Sequence, residues 1–195
     1  MLPEPSTELM KQRVLAKAEK LIRGSGVDFS FRSIETSVRI YPGKMRRLFP
    51  DRSSLVAEVV RKDFDRILEF EQSRSGHDAQ TRYLGWVDRL SRAILSIEGL
   101  SALLIDAINN AGSGLHPIGS LLADATSRFL KESQPDRSED TTVLGTDVYA
   151  LLLGSLVAAE RLHPGQAPEA RAQRRVAADR LRRLSEQGIL RDRTP

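Results

Sequence analysis

Three cations, Lys44, Arg46 and Arg47, follow directly on a Pro42–Gly43 pair, with Met45, Leu48 and Phe49 threaded through and behind them. A surface loop has no use for that apolar trio, and a plain core helix has no use for cations set so closely. Both needs are met by a short helix packed from one side, because Met45, Leu48 and Phe49 lie three and four residues apart and share a face. Gly43, Lys44, Arg46 and Arg47 are then left on the outer face, a cationic surface suited to a polyanion. Between Ser30 and Arg52 there are six cations (Arg32, Arg39, Lys44, Arg46, Arg47 and Arg52) against two acids, Glu35 and Asp51, so this segment's balance equals the +4 of the whole chain.

The elements that must hold this helix are legible around it. From Thr7 to Arg23, Met10, Val14, Ala18, Leu21 and Ile22 recur at helical spacing, with Thr7 able to cap the start and the glycines of 24–26 ending it. A second helix fits Phe31 to Val38 with Ser30 as N-cap, and its Ile34 and Val38 can close on the inner face of a third, Pro42 to Leu48. Pro42 suits the first helical position, where its missing N–H is no loss. Gly43 removes a side chain where backbone would approach a phosphate, and a helix N-terminus favours that anion. Short helix, tight connection and short helix make a helix-turn-helix, whose second member offers its outer face to the DNA major groove. The competing reading is a solvated cationic face on a packing helix.

Asp51 caps a long helix carried by Leu55, Val56, Val59, Val60, Phe64, Ile67, Leu68 and Phe70. Further helices are predicted over 79–96, 99–111, 118–133, 141–162 and 167–187, with loops at 73–78, 109–117, 133–140 and 163–168. No stretch alternates with period two, so the fold class is all-α. The expected division is a helix-turn-helix DNA-binding domain over 1–52 and a larger helical domain over 53–195.

Composition narrows the function. The chain has 195 residues, 40% of them hydrophobic, and no cysteine, which excludes disulfides, thiolate metal sites and a cysteine nucleophile. A net charge of +4 leans mildly towards an acidic partner. The longest apolar run, 149–159, is too short for a membrane span and is broken by Gly154 and Ser155. A soluble cytoplasmic protein without a membrane partner is expected. His77, His116 and His163 fall in separate predicted loops, and no glycine-rich phosphate loop is present, so no catalytic site, metal or cofactor is expected.

The run from Leu9 to about Val60 resembles the amino-terminal domain of the tetracycline-repressor family of transcriptional regulators. The resemblance rests on RVLAKAEKLIRGSGVDFSFRSI, on IYPGKMRRLFPDRSSL and on the long helix that follows at once. Phe49, Pro50, Arg52 and Leu55 fall where that family carries an aromatic residue, a short turn, a lysine and a leucine. Arg39 stands in place of the family's turn glycine, Tyr41 in place of a small cap, Lys44 in place of a threonine-like residue and Arg46 in place of a tyrosine. Arg39 requires either a different turn or a strained one.

The resemblance implies that Tyr41, Pro42, Gly43, Lys44, Arg46 and Arg47 sit at the groove. Arg46 and Arg47 are then placed to read guanine edges, and Lys44, Arg52 and Arg32 to hold phosphates. It further implies a homodimer on a near-palindromic double-stranded DNA operator, with half-sites about 34–36 Å apart or a multiple of that. A repressor of this kind is released by a small-molecule inducer that shifts the long Ser53–Gln72 helix.

In that family the remaining helices sense the ligand and dimerise. Tyr83, Trp86, Asn109, Asn110, His116 and Tyr149 could line an inducer pocket. Trp86 and Tyr149 also sit at core spacing with Leu90 and Leu153, and Asn109 and Asn110 adjoin a turn. A dimer interface is expected from the last two helices through Tyr149, Leu153, Gly154, Leu156, Ala158, Val176, Leu181 and Leu184. Alternatively, those helices close their own subunit's core. The basic run over 171–183 reads as a solvated outer face. The rival function is an all-α small-molecule carrier or protein–protein adaptor without specific DNA binding.

Overall fold

Capping sets the helix starts. Ser30 accepts a hydrogen bond from the Ser33 N–H, Asp51 from the Ser54 N–H at 2.7 Å and Asp78 from the Thr81 N–H at 2.8 Å. Each cap sits in extended backbone and satisfies one of the donors that a helix start leaves free. The computed structural model describes residues 7–74, 76–134, 141–165 and 167–188, and all regular structure among them is helical. In chain order the helices are α1 (Thr7–Ser25), α2 (Phe31–Val38), α3 (Pro42–Leu48), α4 (Arg52–Ser73), α5 (Ala79–Leu95), α6 (Leu100–Asn109), α7 (His116–Ser133), α8 (Thr141–Leu162) and α9 (Pro168–Gly188).

A few boundaries differ from the sequence reading. Thr7 is the first residue of α1 rather than its cap. Gly24 lies inside α1, and the stop is Gly26, whose φ of 80° lies in the left-handed region. α7 starts two residues ahead of the expected 118 because Pro117 is harmless in a first turn. Most of the loop expected over 133–140 lies outside the described residues.

Val14, Ala18, Ile22, Ile34, Met45 and Leu55, all fully buried, form the centre of the amino-terminal helices. Trp86, Leu90, Ile94, Leu122, Phe129, Tyr149 and Leu153 form the centre of the later ones. The two centres belong to one continuous core. α4 carries it across, packing on α1 as well as on α5 and α7. The expected boundary after residue 52 therefore falls at the start of an element shared by both parts.

Two close approaches lock this junction. The Val27 N–H donates to the Glu98 carbonyl at 2.9 Å, and Gly26 and Gly99, both at φ 80°, make room for it. Gly114, between α6 and α7, lies so close to Ser54 that an added Cβ would stand 2.5 Å from its Cα. Among the described residues no helix is long and apolar enough to cross a membrane.

Candidate nucleic-acid interface

α2 ends where Ile40 donates its N–H back to the Glu35 carbonyl at 3.0 Å. This is a Schellman closure, which requires the residue before Ile40 to adopt left-handed backbone. That residue is Arg39, at φ 55° and ψ 50°, the one non-glycine residue with positive φ among the described residues. The turn is thus the strained one, with arginine where glycine is easiest. Burial of Ile40, together with the closure, offsets the strain. The Arg39 side chain remains exposed at the end of α2.

The chain then enters α3 through Tyr41, in extended backbone, with no side-chain cap. The Tyr41 carbonyl accepts from both Lys44 and Met45 N–H groups at 3.1 Å, and Pro42 opens the helix. Met45 and Phe49 are buried and Leu48 packs partly against the core, which fixes the rotation of α3 about its axis. Burying two such side chains contributes roughly 1.5–3 kcal/mol each. With that face inward, Gly43, Arg46 and Arg47, again three and four residues apart, are exposed outward.

Arg46 and Arg47 occupy the last turn of α3, where a cation also favours the helix dipole. Among the described residues neither side chain has a hydrogen bond or ion pair. Tyr41 is 58% exposed, and its ring lies over Gly43, where an added Cβ would meet ring carbons at 3.6 and 3.7 Å. Lys44 is half-buried beside them, and Arg32 is exposed near the start of α2. Arg52 is committed in part: its Nη1 stands 3.0 Å from Asp28 Oδ1. Asp28 is almost wholly exposed, so this pair is weak and open to exchange for a phosphate.

The residues of the other expected clusters lie in differing surroundings. Tyr83, Trp86 and Tyr149 are fully buried, with Trp86 Nε1 donating to Thr126 Oγ1 at 2.9 Å and its ring 5.3 Å from that of Phe129. Burial pushes the Tyr83 hydroxyl up to about 12 and raises Tyr149 as well. Asn109 and Asn110 lie on the surface, where Asn109 Nδ2 donates to the Ile105 carbonyl and Asn110 Oδ1 accepts from the Gly112 N–H, a local turn role. His116 Nδ1 is 2.8 Å from the Ala107 carbonyl at the start of α7. The three aromatics are thus core side chains and the two asparagines surface ones.

The expected dimer set also divides. Tyr149, Leu153 and Leu156 face their own core, and Leu181 packs partly against it, because these positions fall on the side of each helix that meets its neighbours. Gly154, Ala158, Val176 and Leu184 are exposed. The outward apolar positions on α8 are instead Leu151 and Leu162, at 72% and 75% exposure, beside the small Gly154, Ser155 and Ala158. On α9 the basic run is not wholly a solvated face, since Arg174 is buried on the same side as Ala177, Ala178 and Leu181. Inward spacing at 174, 178 and 181 was the signal available for it in the sequence.

No protein-family model matches the chain, and comparison with curated proteins finds no significant match.

Proposed function

We propose that this chain is a DNA-binding transcriptional regulator that presents α3 to the major groove, pairs with a second copy on a near-palindromic operator and acts as a repressor released by a small molecule. The observation that carries this reading is the two-sided packing of α3. Met45 and Phe49 are held inside while Gly43, Arg46 and Arg47 face outward with no partner among the described residues for either guanidinium. A cationic face evolved only for solubility has no need of a preceding helix, a strained Schellman turn and a buried anchor to fix its orientation.

Groove reading asks for that fixation, because a guanidinium meets O6 and N7 of guanine only from a set direction. Arg32 and Arg52 flank the reading face at the starts of α2 and α4, where they suit phosphates on either side of the groove. The exposed strip of Leu151, Gly154, Ser155 and Ala158 is the surface on which a second copy would pack α8 against α8.

Selection of the full chain against random duplex DNA at about 0.15 M salt tests the proposal. Enrichment of an inverted repeat supports it, and the repeat's spacing reports the distance between the two α3 helices. Enrichment of no sequence defeats it.

A further inference from the structure

We propose that a cavity between the end of α1, the end of α5 and the first turns of α9 binds a small molecule carrying two or more oxyanion groups, phosphoryl or carboxylate. The cavity measures about 480 Å³ and is lined by Arg23, Arg92, Ser96, Arg171, Arg174 and Arg175, with Leu95 as its apolar wall. Its volume falls within the usual range of small-molecule sites. Among the described residues, every charged side chain lining it is an arginine.

Arg174 is the decisive residue. It is 1% exposed, its Nη1 makes only a long contact of 3.5 Å to the His163 carbonyl, and its Nε and Nη2 have no partner among the described residues. A buried guanidinium left in this way is costly unless an anion reaches it. Glu160 lies close enough to feel its charge without bonding to it. Glu160 Oε2 is taken instead by Ser101 Oγ at 2.8 Å and the Gly99 N–H at 3.2 Å.

The neighbouring arginines are held in place with donors to spare. Arg23 uses Nη2 on Asp63 at 2.6 Å and Nε on Glu19 at 3.3 Å. Arg92 uses Nε on Asp88 at 2.9 Å and Nη2 on Asp179 at 2.5 Å. In both cases the carboxylates orient the guanidinium from outside the cavity, and Nη1 remains for a ligand. A planar fork of this kind matches carboxylate and phosphate two bonds at a time. Arg23 comes from α1 and Arg174 from α9, so an occupant would tie the amino-terminal helices to the last one.

The test is calorimetric titration of the full chain with pyrophosphate and, separately, citrate at about 0.15 M salt. It needs no DNA, so its outcome is independent of the regulator reading. The expected result is saturable binding of at least one probe at one site per chain. Arg175→Ala, an exposed change that breaks no hydrogen bond or ion pair among the described residues, weakens that binding about tenfold. Arg180→Ala, exposed on α9 outside the lining, leaves it unchanged. Preference for pyrophosphate assigns phosphoryl ligands, and preference for citrate assigns carboxylates. Absence of saturable binding by the unaltered chain, or equal loss in both variants, overturns the proposal.

Discussion

The backbone N–H of Val27 donates to the carbonyl of Glu98 at 2.9 Å, joining the α1–α2 turn to the α5–α6 turn. The bond exists because Gly26 and Gly99 take left-handed backbone on either side of it. A Cβ on Gly26 would stand 2.6 Å from the Glu98 carbonyl oxygen, and one on Gly99 would stand 2.8 Å from Val27 Cγ2. Each glycine thus answers both a conformational and a steric demand. Gly26→Ala or Gly99→Ala is expected to destabilise the fold by roughly 2–4 kcal/mol, measured by urea unfolding. A change within measurement error in both variants would mean that the turns do not meet as described.

Arg39 presents the opposite case. Its left-handed backbone costs roughly 1–2 kcal/mol that glycine would not incur, while glycine raises the entropy of the unfolded chain by somewhat less. Arg39→Gly is expected to stabilise the protein by about 0.5–1 kcal/mol. Loss of stability in equilibrium unfolding would show that the Arg39 side chain contributes more than its backbone strain removes.

The sequence encodes α3 more locally than it encodes the later helices. The bounds of α2 and α3 were legible because Ser30, Pro42 and the apolar steps of Ile34, Val38 and Met45 all act locally. Arg39 could be placed at the turn, but its conformation could not, since a Schellman closure and a looser turn differ only in whether Ile40 reaches Glu35. In α8 the apolar residues surround much of the helix, so periodicity leaves open which side meets the core. Packing of α8 on α7 and α6 decides it, with Leu153 and Leu156 inward and Leu151 outward. The arginine cavity was invisible because Arg23, Arg92 and Arg174 come from three distant segments, joined only by the packing of α5 on α9 and the path of α1.

Arg52 is held by Asp28 across an exposed surface at 3.0 Å. If Arg52 holds a phosphate in the complex, that ion pair competes with DNA. Asp28→Asn is therefore expected to tighten DNA binding and to steepen its salt dependence by up to about one counterion, read from fluorescence anisotropy at several salt concentrations. An unchanged slope and affinity would remove Arg52 from the phosphate contacts.

Glu160 supplies a pH dependence. Burial raises its pKa above the usual 4.5, outweighing the bonds from Ser101 and Gly99 and the nearby Arg174, while Glu98 adds to the rise. A carboxyl raised in the folded state favours folding in its protonated form. Its contribution is full below 4.5 and is lost as pH climbs through the raised value. Glu160→Gln is expected to flatten that part of the stability profile, measured by urea unfolding from acid to neutral pH. A variant whose profile parallels the unaltered protein's would assign the slope elsewhere.

The most direct test of the regulator reading is the ratio of specific to non-specific affinity for the unaltered chain and for Arg46→Ala with Arg47→Ala. It is measured by anisotropy on a selected duplex and on a scrambled one at about 0.15 M salt. Both side chains are exposed and lack partners among the described residues, so their removal leaves the fold intact. The expected result is a ratio of about 10³ or more for the unaltered chain, lost by at least tenfold in the variant. Equal affinity for the two duplexes, or a ratio that survives removal of both arginines, would contradict α3 as the element that reads DNA.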